Sequence, residues 1–136
     1  IRGRGPQFAH GWWQPGEETT MPQSVTTPWG GWEGLADARG YKVKRITVNQ
    51  GHRLSYQKHS RRSEHWFIVS GTAAITLNGR EMELKPGEHM DIPCGSAHRV
   101  ASRGSEAVVF IEVQTGSGCE EDDIIRLEDD YGRTHG

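Results

Sequence analysis

The stretch Gln57-Lys58-His59-Ser60-Arg61-Arg62-Ser63-Glu64 reads Q-x-H-x4-E, and Gly71 follows after six more residues. A second block reads Gly87-x5-Pro93-x-Gly95-x2-His98. Alternate residues of a strand point to the same face, so Gln57 and His59 can look into one cavity. Glu64, past a short turn, can return to that cavity on the next strand. His98 would join from the second block. Imidazole nitrogen with carboxylate or amide oxygen is a donor set for borderline divalent metals. The four residues Gln57, His59, Glu64 and His98 are therefore the candidate metal ligands.

Strand and turn signals surround these blocks. Tyr41 to Val48 alternates and is rich in β-branched residues, with Lys44, Ile46 and Val48 on one face and Val43, Arg45 and Thr47 on the other. Further strands are expected over 54–59, 64–70, 72–77, 81–84, 88–92, 97–101 and 107–113. Turns fall at 49–52, at 61–63, at the hairpin signal Asn78-Gly79 and at 85–88. Many short strands separated by turns predict an all-β barrel or sandwich with a ligand cavity at one mouth.

Bulk properties agree. A chain of 136 residues has single-domain length, and 33% hydrophobic residues with 18 glycines suit a turn-rich β protein. A formal net charge of −2 carries no field for nucleic acid or anionic membrane. No apolar run approaches the roughly 18 residues of a membrane span, and no secretory h-region is expected. Cys94 and Cys119 lie far apart in different contexts, so reduced thiols and a cytoplasmic location are expected. Residues 1–26 read as a polar arm carrying Phe8, Trp12 and Trp13, either disordered or docked on the barrel or a partner subunit. Residues 27–136 form the expected domain, ending in an acidic tail from Gly118 with room for a short helix.

The two blocks resemble the paired motifs of the cupin superfamily, G-x5-H-x-H-x3–4-E-x6-G and G-x5-P-x-G-x2-H-x3-N. Gly51, His59, Glu64 and Gly71 match the first; Gly87, Pro93, Gly95 and His98 match the second. Gln57 stands where the first histidine is usual, and Ser102 where the final asparagine is usual. The implied fold is the double-stranded β-helix, a jelly-roll barrel. The order Pro28-Trp29-Gly30, Lys44-Arg45-Ile46-Thr47-Val48, Leu54 to His59, Arg62 to Trp66, Ile111-Glu112-Val113-Gln114 and the tail ending Asp130-Tyr131-Gly132-Arg133 narrows this. It is similar to the C-terminal domain of type II phosphomannose isomerases, the bifunctional enzymes that also carry a guanylyltransferase half.

That resemblance implies interconversion of mannose 6-phosphate and fructose 6-phosphate through an enediolate. It implies zinc as the ion, with Mn, Fe, Ni and Co left open. Arg133 is implied, from the tail motif alone, as the residue that binds phosphate or steers the enediolate. Lys44 is a candidate phosphate binder or acid if its strand face looks inward, and a surface lysine if not. Glu112 is a candidate base. Arg62 and His65, which flank Glu64, are candidates to orient it, Trp66 reads as a core aromatic, and Asp130 and Tyr131 would dock the tail. The partners expected are a sugar phosphate and a second copy of the chain, with no nucleic acid or membrane. The competing readings are a metal-binding cupin of another activity and a non-catalytic module that binds a sugar or nucleotide sugar.

Overall fold

The computed structural model describes residues 23–117 and 123–133. Phe8, Trp12, Trp13 and Cys119 lie outside the described residues. Among the described residues there are eleven strands and no helix. In chain order they are β1 (Gln23–Thr27), β2 (Gly30–Ala38), β3 (Tyr41–Val48), β4 (Tyr56–Lys58), β5 (Arg62–Ser70) and β6 (Ala73–Leu77). β7 (Arg80–Leu84), β8 (His89–Ile92), β9 (His98–Ser102), β10 (Val108–Gly116) and β11 (Ile125–Glu128) complete them. A six-stranded sheet runs β1-β2-β3-β10-β5-β8, and a five-stranded sheet runs β11-β4-β9-β6-β7. Every pairing is antiparallel.

Alternation explains the packing. On β3 the side chains of Lys44, Ile46 and Val48 are buried, as the sequence period requires. On β5 Arg62, Glu64, Trp66 and Ile68 point inward. The inward residues of the two sheets meet in one core that includes Ile46, Trp66, Ile68, Ile75, Val100 and Phe110. Full burial of side chains this large contributes about 1.5–3 kcal/mol each.

Two turns rest on special backbone. Asn78 and Gly79 both have positive φ, 49° and 81°, the pattern of a tight hairpin turn between β6 and β7. Gly71, at φ 76°, lies so close to the chain that a Cβ would sit 2.3 Å from the Ala107 carbonyl oxygen. Glycine is therefore required where β5 turns into β6.

The structure departs from the sequence reading in three places. β1 and β2 were not anticipated. Every residue of β2 is only half-buried, so it shows no alternation, and glycines occupy three of its first five positions. The strand expected over 54–59 is confined to Tyr56–Lys58, while β5 begins at Arg62 within the expected turn. The tail forms strand β11 against β4, not a helix; tertiary pairing overrides the local preference of an acidic run.

Candidate metal centre and cavity

Two strands and one loop bring His59, Glu64 and His98 together. His59 follows β4, Glu64 lies on β5 and His98 opens β9. All three side chains are about 2% exposed. One ligand atom from each lies within 4.8 Å of the others. His59 Nε2 is 3.2 Å from Glu64 Oε2, and His98 Nε2 is 3.8 Å from Glu64 Oε1. Donors around one small divalent ion at roughly 2.0–2.2 Å span separations of this order.

The tautomers are fixed by the backbone. His59 Nδ1 faces the Asp123 carbonyl oxygen at 2.5 Å, and His98 Nδ1 faces the Ser96 carbonyl oxygen at 2.9 Å. A carbonyl only accepts, so each Nδ1 carries the proton and each Nε2 keeps its lone pair. His98 Nε2 is buried with no hydrogen-bond partner among the described residues. An orphaned imidazole lone pair beside a carboxylate is the donor chemistry of a cation site, and the group fits a divalent ion. Burial pushes the His98 imidazole toward its neutral form, with the nearby Glu64 charge opposing. Burial alone would raise the Glu64 carboxyl; once acid protonates the imidazoles, a His59 hydrogen bond and the charges of His98 and His59, together with the standing charge of Arg62, outweigh it and hold it well below the usual carboxylate range.

Arg62 supports the cluster from inside. Its Nε and Nη2 donate to Glu64 Oε2 at 3.0 and 2.9 Å, and Nη2 also donates to His59 Nε2 at 3.1 Å. His65 does not orient Glu64: it faces outward and bonds Asp91 at 2.5 Å. Arg62 is two residues from Glu64 and shares its face, whereas His65 is one residue away and cannot.

A cavity of about 100 Å³ adjoins the cluster. Its wall includes Lys44, Gln57, Arg62, Glu112, Arg126 and Arg133. Gln57 pairs across the sheet with His98 and accepts a 2.7 Å hydrogen bond from Ser55 Oγ at its Oε1. Lys44 is buried, with Nζ 3.8 Å from the centre of the Trp32 ring. Its inward face decides against the surface alternative. Trp66, fully buried in the core, links the cavity to the cluster: its Nε1–H lies 3.0 Å from Glu64 Oε1 and 3.1 Å from Glu112 Oε1. Burial, and then the Glu64 charge, push the Glu112 carboxyl up to about 8, with Lys44 and Arg62 opposing.

The C-terminal segment 123–133 straps this end of the barrel. Asp123 accepts from the Ser60 and Arg61 backbone N–H groups at 3.1 and 3.0 Å and from Ser60 Oγ at 2.8 Å. Asp130 takes a two-pronged bond from Arg53 at 2.7 and 2.8 Å, and Tyr131 Oη meets His52 Nδ1 at 2.7 Å. These two residues dock the tail, as expected from the sequence. Arg133 reaches the cavity wall with Nε and Nη2 held by Asp129 at 2.7 and 3.0 Å. Thr27, Arg126 and Asp123 belong to this end of the barrel without a local signal in the sequence. For Arg126 and Asp123 the placement comes from the pairing of β11 with β4 and from the 60–61 turn.

The sequence profile described as "Mannose-6-phosphate isomerase C-terminal" matches residues 14–129. The chain belongs to this family. It is 44% identical over 116 residues to mannose-1-phosphate guanylyltransferase ManC of Salmonella typhimurium, covering 85% of this chain and 24% of that protein. It therefore spans about a quarter of the length of such relatives. CapF, a capsular polysaccharide assembling protein from Staphylococcus aureus, superposes with a TM-score of 0.69 at 20% identity, over 81% of this chain and 35% of that one. An RmlC-like cupin from Shewanella frigidimarina gives 0.66 at 15% identity, over 78% and 97%. At such identities the likeness is one of fold, and the fold of this mannose-6-phosphate isomerase C-terminal family domain is that of a cupin. No helix among its described residues is long and apolar enough to cross a membrane.

Proposed function

We propose that the chain is a metal-dependent aldose–ketose isomerase interconverting mannose 6-phosphate and fructose 6-phosphate. The observation that carries this reading is the cavity itself: a single carboxyl and several cationic side chains face one space beside a buried His–Glu–His cluster. A divalent ion, zinc by preference, held by His59, Glu64 and His98 with Gln57 completing the set, would supply a Lewis acid for the oxygen that becomes negative. Gln57 is neutral, so the set adds only the Glu64 charge and leaves the ion electrophilic.

The remaining work falls to the chain. Isomerisation moves one proton between adjacent carbons. Glu112 is the one carboxyl among the described cavity-lining residues, which makes it the proton-shuttling group. Lys44 stands on the same inner face and balances charge that develops near Glu112. Arg133, held in one orientation by Asp129, steers the enediolate.

A coupled assay following fructose 6-phosphate from mannose 6-phosphate tests this reading on protein stripped of metal and refilled with zinc. Turnover should appear with the ion and vanish in His98→Ala. Absence of turnover with any divalent ion would defeat the isomerase reading and favour a module that only binds sugar.

A further inference from the structure

Two polar atoms in the cavity wall have no hydrogen-bond partner among the described residues. Arg126 Nε and Thr27 Oγ1 are both buried without a hydrogen bond, and both residues line the cavity. They arrive from different sheets: Thr27 ends β1, and Arg126 lies on β11 opposite Gln57. A buried donor left unbonded is costly, and more so when it is charged. Two such donors converging on one space are the signature of a ligand that brings its own acceptors.

The neighbouring guanidinium is in a different state. Arg133 gives two of its N–H groups to Asp129, so a carboxylate already answers its charge. Arg126 is disfavoured as a cation first by burial and then by the charge of Arg133, with Asp129 opposing in part but giving it no hydrogen bond among the described residues. An anion seated against Arg126 would relieve both. A phosphate monoester, as the dianion, offers only acceptors, which matches a guanidinium N–H and a hydroxyl donor lining one cavity.

We propose that Arg126 and Thr27 form the phosphate-holding subsite of the cavity, with Arg133 fixed beside it by Asp129 for a separate task. The choice of phosphate as the anion rests on the isomerase reading; the existence of an anion subsite rests on the two orphaned donors alone.

Calorimetric titration of the zinc-loaded full chain with inorganic phosphate tests the subsite. Arg126→Ala should weaken phosphate about 10- to 100-fold, as expected for loss of a charge-assisted bond. Thr27→Val, which keeps the shape, should weaken it about 3- to 10-fold. Arg126→Lys keeps the charge but loses the planar donor, and should fall between wild type and Arg126→Ala. Zinc content and melting temperature serve as the fold control. If Arg126→Ala loses zinc or unfolds, Arg126→Lys decides: weaker phosphate supports the subsite, and unchanged phosphate overturns it. Unchanged phosphate affinity in a well-folded Arg126→Ala overturns it directly.

Mannose 6-phosphate separates this inference from the isomerase reading. Phosphate binding that depends on Arg126, without turnover of the sugar phosphate, leaves the subsite standing and removes the reaction. Turnover whose KM is untouched in Arg126→Ala does the reverse.

Discussion

The barrel carries two histidine pairs of nearly equal spacing, one inside and one outside. The His59 and His98 rings are 5.1 Å apart beside Glu64; the His65 and His89 rings are 5.3 Å apart beside Asp91. The chemistry of the residues is the same, but the surroundings are not. Inside, backbone carbonyls of Asp123 and Ser96 accept hydrogen bonds from both Nδ1–H groups and leave both Nε2 atoms facing the acid. Outside, His65 uses Nδ1 on Asp91, whose side chain is 83% exposed, and water competes for every contact. Among the described residues the inner group is the one whose acid and histidine ligand atoms converge. Ligand identity alone therefore does not make a metal centre. Burial and fixed tautomers do.

The largest test of this contrast is metal retention. His98→Ala should abolish zinc binding as read by metal analysis after dialysis, while His89→Ala should leave it intact. Equal losses in both variants would mean that the outer pair also takes part.

Stability of the metal-free protein gives the next contrast. Glu64→Gln removes a buried negative charge facing Arg62 and the two imidazoles, and denaturant unfolding should show a loss of about 3–5 kcal/mol, typical of a broken buried ion pair. Asp91→Asn, on the solvated face, should barely move the midpoint.

A finer test concerns the strap. Asp123→Ala removes the acceptors for the 60–61 turn, so the carbonyl that holds His59 is no longer pinned. Zinc affinity should fall about 10-fold, the lower range for loss of an outer-shell support. Competition with a chromogenic chelator reads that shift.

The smallest effect is on acidification. Arg133 holds Asp129, and Arg53 holds Asp130, below the usual carboxylate range. A carboxylate whose folded pKa is depressed stabilises the docked state fully above its unfolded pKa, and that help is lost as pH falls through the folded value. The strap should thus remain docked at pH 5 and loosen below about pH 4, the unfolded Asp value. Pepsin cleavage within 123–133 that rises between those conditions, ahead of barrel cleavage, is the expected result.

Much of this was legible beforehand because strand period is a local property. Lys44, Ile46 and Val48 on one face and the inward Glu64 follow from alternation, and the Asn78-Gly79 turn from its dipeptide. The same rule assigns Arg62 to the inner face and His65 to the outer, a distinction available from counting residues from Glu64. β2 was illegible because a strand half-exposed throughout carries no alternation to read. Arg126 and Asp123 were illegible for another reason. Their roles come from pairing with β4 and with the 60–61 turn, more than sixty residues away in the chain. No local pattern encodes such a register.

Trp66 gives the molecule an internal optical gauge. Its indole N–H is shared between Glu64 and Glu112, so the ring senses the balance of charge on two carboxyls with different duties. A cation captured by Glu64 tilts that balance toward Glu112; a proton captured by Glu112 tilts it back. In a chain whose other four tryptophans are replaced by phenylalanine, the emission colour of this one buried chromophore should therefore shift with the charge on either carboxyl.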